Sequence, residues 1–205
     1  AIAYDATGLL AGRTLSAGTP TAQTTGERVN AILSGSGVNW AADLRSVDTG
    51  QASLSDFPIT ADSNALNYLQ TVAASEPGNL FIGKEGRVVF QDRTKGPTST
   101  DLVEFGGTAI PFQNLEVVYG SENLYNEIVI SRSGGGTAIA QDTDSIGEYG
   151  KRNLTINDLL LSTDEQSVDL ALIYAQRYSQ PEYRFNSLEI AMHKLSESHQ
   201  YEIAG

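Results

Sequence analysis

Two histidines, His193 and His199, are the residues in this sequence best suited to metal or acid–base chemistry. They lie six positions apart near the C-terminus. That is not the i, i+4 spacing that places two ligands on one helix face, and we find no carboxylate at a spacing that completes a metal triad. We therefore interpret both as solvated side chains and predict no metal site and no cofactor.

Several carboxylates are close enough in sequence to be considered as a glycosidase pair. They are Glu116 with Glu122, Asp142 with Asp144, and Glu148 and Asp158. A glycosidase needs two carboxyl groups that face each other across the scissile bond. A chain with 25 acidic residues produces such pairs by chance, and none of these lies in a run that predicts a cleft floor. The sequence names no catalytic residue, and we predict that the chain is not an enzyme.

Two loop motifs have both a chemical and a structural interpretation. Gly134–Gly136 lacks the following Lys-Ser/Thr and helix of a phosphate loop, so we favour a hairpin tip. Asp142 and Asp144 have the i, i+2 spacing of calcium ligands, but the glycine and distal glutamate of such a loop are not at their offsets. We favour a turn that its own Asp and Ser side chains cap, with calcium as the alternative.

Three further motifs carry little functional information. No Gly-x-Ser-x-Gly nucleophile motif occurs. Asn153-Leu154-Thr155 matches a glycosylation sequon, which has meaning only in a secretory pathway. For the single tryptophan, Trp40, we favour a buried anchor between short helices over a ligand-stacking platform.

Composition excludes several classes of function. The 205 residues carry a net charge of −12 spread along the chain, which argues against a nucleic-acid surface and against an anionic membrane surface. Because cysteine is absent, disulfides, thiolate metal sites and cysteine nucleophiles are excluded. No apolar run approaches the ~18 residues of a membrane span, and the N-terminus lacks the basic region of a signal peptide. Both ends have the character of interior sequence, and we expect a segment of a longer chain.

The stretch 64–93 predicts a helix that leads directly into a β-hairpin. Leu66, Leu69 and Val72 lie on one helical face, Asp62, Ser63 or Asn64 can cap the start, and Pro77-Gly78 ends the helix. Two β-rich runs, 80–82 and 88–90, flank a turn at Gly83–Gly86 that we expect to be exposed at Lys84 and Glu85. A lone hairpin is marginal in water, so the helix or a larger sheet must cover one face.

Other segments predict an α+β chain. Predicted helices cover 5–12 with Asp5 as N-cap, 26–33 with Thr25 as N-cap, a short segment at 41–47, and 164–179 with Ser162 or Thr163 as N-cap. The last helix is predicted to bury Val168, Leu172 and Ala175, joined by Ala171 and Tyr178. Predicted extended pieces are 102–105, 110–112, 115–119, 128–131, 137–141 and 184–192, with a turn near 123–126 and mixed turn and strand character over 146–161. In the final strand, alternation predicts Phe185, Ser187, Glu189 and Ala191 on one face and Asn186, Leu188, Ile190 and Met192 on the other.

Taken together, the motifs resemble those of minor tail proteins of long-tailed bacteriophages. The run ALNYLQTVAASEPGNLFIGKEGRVVFQDR at 65–93 resembles a recurrent helix–hairpin unit of that family. Further pieces follow in the family's order: Tyr4-Asp5-Ala6, Gly8-Leu9-Leu10, Gly26-Glu27-Arg28, Ile32-Leu33, Asp48-Thr49-Gly50, Tyr125 to Ile130, Asp144-Ser145-Ile146, Tyr149 to Arg152, Arg177-Tyr178 and Pro181.

The resemblance implies a structural part of the virion tail, a central hub, baseplate or tail-tip protein that forms a ring, typically of three copies, between tail tube and tip. It implies partial β-barrel-like hub domains: 1–24 ending an N-terminal β domain, 25–94 as a helical insert with the hairpin, and 95–205 as a second β-rich domain with the long helix, incomplete at its C-terminus. Implied partners are further copies and the tube, distal tail and tip or spike proteins, without nucleic acid or membrane insertion. No catalytic residue is carried over.

Two other hypotheses stay open from the sequence. A carbohydrate- or receptor-binding module of the tail would use an exposed aromatic platform, with Trp40 as the candidate. A tail-associated cell-wall hydrolase would need two carboxylates about 5–10 Å apart in a cleft. We favour the structural role, in which unpaired strands and apolar faces are covered by neighbouring subunits; the six tyrosines Tyr119, Tyr125, Tyr149, Tyr174, Tyr178 and Tyr183 are candidate anchors for such contacts.

Overall fold

A computed structural model describes residues 6–83, 85–95, 110 and 112–190. Several features predicted from the sequence lie wholly or partly outside this range: the cap Asp5, the break at 95–101, the extended pieces at 102–105 and 110–112, and both histidines.

The described chain is a mixed α+β structure. Its helices are α1 (Ala6–Ala11), α2 (Thr25–Ser34), α3 (Ala65–Ala74), α4 (Thr143–Tyr149) and α5 (Asp164–Tyr178), with a 3-10 turn at Ala42–Leu44. Its strands are β1 (Thr14–Leu15), β2 (Gln23–Thr24), β3 (Arg45–Val47), β4 (Ser53–Leu54), β5 (Ser63–Asn64), β6 (Asn79–Ile82), β7 (Val88–Gln91), β8 (Phe112–Gly120), β9 (Glu127–Arg132), β10 (Thr137–Gln141), β11 (Asn153–Leu159) and β12 (Glu182–Ile190).

The strands form small sheets. Two sheets have three strands, in the orders β3-β7-β6 and β10-β9-β11, and three are two-stranded pairs, β1-β5, β2-β4 and β12-β8. None of these sheets closes into a barrel within the residues described. No helix in that part of the chain is both long and apolar enough to cross a bilayer.

Side-chain caps fix where the helices begin. Asn64 caps α3 by accepting the Asn67 N–H at 3.0 Å, and Thr163 caps α5 in a capping box with Gln166, as the sequence predicts. The predicted cap of α2 is wrong by one residue, because Thr24 makes the capping box with Glu27. The hydroxyl of Thr25 points inward instead, to the buried carboxyl group of Glu76.

The helix–hairpin unit forms as predicted. Helix α3 ends at Ala74, and β6 pairs antiparallel with β7 across the turn at 83–86. Gly86 has a φ of +73°, which explains the glycine there. The larger sheet that the hairpin requires is completed by β3, which pairs parallel with β7.

The turn predicted at Asp142–Ser145 is instead the start of a short helix. Asp142 accepts the Ser145 N–H at 3.0 Å and thereby caps α4, which occupies part of the segment predicted as mixed turn and strand. The chain then returns as β11, parallel to β9. Gly134–Gly136 is the predicted hairpin tip between β9 and β10.

Two apolar clusters form the interior. The first core is built by α1, α2, α3 and the hairpin, around Leu33, Leu69 and Phe90. The second core lies between α5 and the β10-β9-β11 sheet, around Ile128, Ile130 and Leu170. Consecutive residues join them, since Leu160 belongs to the first core and Leu161 to the second.

The predicted buried face of α5 is partly wrong. Ser167, Leu170, Ala171 and Ala175 are buried, whereas Val168 and Leu172 are each 48% exposed. The helix sequence contains two overlapping apolar stripes, and the sheet selects the one with more small residues. Small side chains let the helix approach β9 and β10 closely, and tight packing retains more dispersion contacts.

A buried carboxyl group connects four segments of the first unit. Glu76, two residues after the end of α3, is fully buried and accepts hydrogen bonds from the Thr25 hydroxyl and from the backbone N–H groups of Gln51 (2.8 Å), Ala52 (3.2 Å) and Arg93 (3.4 Å). The carboxyl group therefore ties α2, the loop after β3 and the chain after β7 to α3. This is the role of the glutamate in the Ser-Glu-Pro-Gly part of the helix–hairpin motif.

Close backbone contact explains the Gly26 motif. The Gly26 N–H donates to the Thr49 carbonyl at 2.9 Å, and a Cβ at position 26 would lie 1.7 Å from the Asp48 carbonyl oxygen. Next to it, Arg28 is fully buried and donates to Gln23 Oε1, Tyr68 Oη and the carbonyls of Thr21 and Ser55, at 2.7 to 3.0 Å. Both motif residues hold α2 against its neighbouring loops.

Candidate assembly interface

Three of the six acidic residues considered for catalysis make other contacts. Asp142 caps α4, and the Ser145 N–H holds the pKa of its carboxyl group below the ordinary value. Glu116 accepts hydrogen bonds from Asn186 (2.9 Å) and Ser187 (3.3 Å) across the β8–β12 pair. Glu148 raises the pKa of Tyr149 to about 12 by accepting a hydrogen bond from its hydroxyl. Nowhere in the described ranges do three His, Asp or Glu side chains converge as a metal site would require.

The glycine triplet is bound to the start of α5. Gly136 donates its N–H to Asp164 Oδ1 at 3.0 Å, and Arg132 Nε lies 2.6 Å from the same oxygen. Those two contacts, the Gly136 N–H first, lower the pKa of Asp164. The triplet therefore shapes a hairpin tip that a carboxylate holds in place.

Trp40 packs against the first core without being fully buried. Its Nε1 donates to the Leu44 carbonyl at 3.1 Å, which satisfies its single polar group. The side chain also lines an open cleft of about 390 Å³ with Leu9, Arg13 and Leu44. The anchor interpretation fits the packing, and the cleft keeps one side of the ring system accessible.

Five of the six tyrosines fall into two groups. Tyr125, Tyr174 and Tyr178 pack together beside the second core. The ring centroid of Tyr178 lies 5.7 Å from that of Tyr174 and 6.5 Å from that of Tyr125. Tyr119 and Tyr183 face each other on β8 and β12 at 4.8 Å, and they are 56% and 77% exposed. The second group is the candidate for an intermolecular contact.

The β8–β12 pair is an amphipathic two-stranded ribbon. Directly paired residues share a face, and the register pairs Tyr119 with Tyr183, Val117 with Phe185, and Leu115 with Leu188. These three pairs define what we call the ribbon face. The opposite face is mostly polar; it carries Glu116 with Ser187, and Asn114 with Glu189.

A bulge at Asn186 creates the ribbon face. Phe185 pairs with Val117, whereas Ser187 pairs with Glu116, so Asn186 is an extra residue. The predicted alternation, with Phe185 and Ser187 on one face, is therefore wrong beyond this point. The extra residue places Leu188 on the same face as Phe185.

Much of the ribbon face is exposed. Phe185 is 76% exposed, and Val117 and Leu115 are 46% and 39% exposed. At about 200 Å² for each aromatic side chain, the exposed parts of Tyr119, Tyr183 and Phe185 amount to roughly 400 Å². That is about half of the ~800 Å² that one partner buries in a standard protein interface. Sequence reasoning identified the two tyrosines, but it missed Phe185, Val117 and Leu115, whose common face depends on the pairing of distant strands.

Solved structures of tail proteins share this fold, and three of them are compared with the chain. In the 43 kDa tail protein of prophage MuSo2 from Shewanella oneidensis, the match covers 88% of this chain and 53% of the MuSo2 chain, with a TM-score of 0.54 and 17% identity. A tail protein from Neisseria meningitidis MC58 matches 80% of this chain and 49% of its own, with a TM-score of 0.50 and 13% identity. In prophage tail protein gp18 from Listeria monocytogenes EGD-e, the match covers 84% of this chain and 53% of the gp18 chain, with a TM-score of 0.52 and 12% identity.

Sequence comparison alone adds nothing to this likeness, since no protein-family model and no curated protein sequence matches the chain. The chain spans about half the length of the solved structures it matches. Their identities are low, so the likeness concerns the fold. Over most of its length, this chain has the fold of these three tail proteins.

Proposed function

We propose that this chain is part of a structural protein of a phage tail, a central hub, baseplate or tail-tip component that assembles as a ring between tail tube and tip. The ribbon face is the observation that carries the proposal. A two-stranded ribbon is marginally stable alone, and exposed apolar patches of this size commonly mark contacts with other proteins. The fold shared with three tail proteins, two of them from prophages, supports the same role.

In this proposal the ribbon is one part of a hub domain that further strands complete. Those strands come from a neighbouring copy or another tail protein, so that the small sheets become barrel-like domains in the assembled ring. The proposed divisions are 1–24, 25–94 and 95–205. The proposed partners are further copies, typically three in a ring, and the tube, distal tail and tip or spike proteins. The proposed location is the virion tail, and the proposed role involves no catalysis.

Light scattering after size-exclusion chromatography tests the assembly. We expect the wild-type chain to elute as a multiple of its 21.9 kDa mass. We expect a Tyr183→Ser, Phe185→Ser double variant to shift to the monomer, because it removes the two most exposed aromatic side chains of the ribbon face.

Phe57→Ser is the matched control, since Phe57 is 42% exposed and belongs to neither β8 nor β12. It should leave the oligomeric state unchanged. A wild-type chain that stays monomeric at high concentration would contradict ring assembly through the ribbon face, and electron microscopy of tails with an antibody against this chain would test its location separately.

The open cleft at Trp40 favours one alternative, a carbohydrate- or receptor-binding module of the tail. Glycans are commonly bound by an aromatic side chain beside polar groups, and Trp40 and Arg13 both line the cleft. Glycan-array binding that is lost in a Trp40→Phe variant of unchanged stability would support this role. Wild-type binding to no glycan on the array would count against it.

A further inference from the structure

A groove runs between helix α3 and the open edge of strand β6. Its volume is about 470 Å³, and its lining includes Gln70, Ala73 and Ala74 of α3 and Asn79 and Phe81 of β6. The groove is remote in sequence from the ribbon, and two of its lining residues, Ala73 and Leu80, also contribute to the first core.

The edge of β6 offers unpaired backbone groups. In the described sheet, β6 pairs only with β7. The Gly83 N–H donates to the Arg87 carbonyl at 2.8 Å, and hydrogen-bonded pairs alternate in an antiparallel ladder. The bonded pairs are therefore Phe81 with Val89 and Asn79 with Gln91, and the N–H and C=O groups of Leu80 and Ile82 point to the open edge.

The outward groups match the backbone of another strand. Strands that add to a sheet lie about 4.8 Å from their neighbour and bond through alternate residues, which is the pattern that Leu80 and Ile82 present. Helix α3 forms the far wall, and the small side chains of Ala73 and Ala74 leave room for a chain to lie between helix and strand.

The lining also specifies the side chains of the occupant. None of the residues that line the groove is charged, although the chain has a net charge of −12. Three side-chain amides, from Gln70, Asn79 and Gln91, can bond polar uncharged groups, and Phe81, which is 45% exposed, offers an apolar contact. A charged side chain in this groove would lose hydration without gaining an oppositely charged partner.

We propose that this groove binds an extended, uncharged segment of a partner protein, which adds to the sheet as a strand beside β6. Helix α3 covers one side of the added strand, in the manner of domains that bind peptides between a strand edge and a helix. Specificity comes from the neutral lining, and affinity comes from the backbone groups of Leu80 and Ile82.

Amide hydrogen exchange measured by NMR tests the proposal. The probe is a peptide of about eight residues, acetylated and amidated, in which threonine and valine alternate, because that length spans the four residues of β6 with both ends free. At millimolar peptide we expect exchange at the Leu80 and Ile82 amides to slow by about tenfold or more. A second peptide, in which alternating Glu and Lys replace threonine, should give no protection.

Two matched variants complete the test. Gln70→Trp fills the groove from α3 and should abolish the protection, whereas Gln176→Trp places the same exposed change on α5 and should preserve it. Thermal melting confirms that both variants are folded. The proposal is overturned if the neutral peptide protects neither amide, if the charged peptide protects them equally, or if protection appears only at other strand edges.

Discussion

Replacement of Glu76 by glutamine tests whether a buried carboxyl group holds the first unit together. The two carboxyl oxygens divide their partners: Oε1 accepts from the N–H groups of Gln51 and Arg93, and Oε2 accepts from the Thr25 hydroxyl and the Ala52 N–H. Glutamine keeps only one of these oxygens, so its NH₂ group must face donors on the other side.

The loss of stability in Glu76→Gln follows from the donors that are left without an acceptor. The least costly orientation places the NH₂ group beside Thr25, whose hydroxyl can still donate to the Ala52 carbonyl at 3.2 Å, and it leaves the Ala52 N–H unsatisfied. One buried unsatisfied donor costs about 1–3 kcal/mol, so we expect Glu76→Gln to lower the free energy of unfolding by about 2–3 kcal/mol once the lost hydroxyl bond is included. Glu76→Ala removes every bond and should cost about 4–6 kcal/mol, a large part of the ~5–15 kcal/mol of a typical domain.

Urea unfolding followed by circular dichroism measures the change. With a slope of about 2 kcal/mol/M, Glu76→Gln should lower the midpoint by about 1 M. Glu85→Gln is the control, because Glu85 lies at the hairpin turn with its side chain 68% exposed, and its change should stay within about 0.5 kcal/mol. If the two variants unfold at the same urea concentration, the hydrogen bonds at Glu76 do not contribute as the structure indicates.

Three further predictions concern the same two cores. Gly26→Ala should prevent folding or lower the free energy of unfolding by several kcal/mol, because the new Cβ would lie 1.7 Å from the Asp48 carbonyl oxygen. Gly147→Ala, with open space around its Cβ in α4, should instead raise the melting temperature slightly. Arg28→Lys should lower the melting temperature, because one ammonium group cannot replace a guanidinium that reaches four acceptors. Hydrogen bonds from Lys151, Gln141 and Asn153 lower the pKa of Glu127 below its ordinary 4.5. Their stabilising effect is therefore present above pH 4.5 and is lost as the pH falls through the lower pKa of the folded state. Glu127→Gln should make the free energy of unfolding less dependent on pH in this acid range, and an unchanged dependence would contradict the prediction.

The sequence predicted the elements whose signals are local. The caps Asn64 and Thr163, the hairpin turn with Gly86 and the glycine tip after β9 each depend on a few neighbouring residues, and all were predicted. Helix α4 was missed because its seven residues, TDSIGEY, have turn-like composition and a glycine inside. Its cap, Asp142, was the available signal.

Features that depend on distant partners could not be predicted in the same way. The buried face of α5 is chosen by the β9–β10 surface, which the helix sequence does not contain. The bulge at Asn186 exists only in the register with β8, more than 60 residues earlier. The ribbon face, and with it the candidate interface, therefore required the paired strands to be seen together.

Leu160 and Leu161 connect the two cores by a single peptide bond, and each is almost fully buried in a different cluster. The adjoining backbone is bonded as well, since the Ser55 N–H donates to the Leu160 carbonyl at 2.8 Å and the Ser162 N–H to the Ser53 carbonyl at 3.1 Å. A rotation of one core about this segment would pull a leucine out of the other. Mechanical load applied to the α5 side should therefore reach the helix–hairpin side as a rigid displacement, without a hinge that absorbs it.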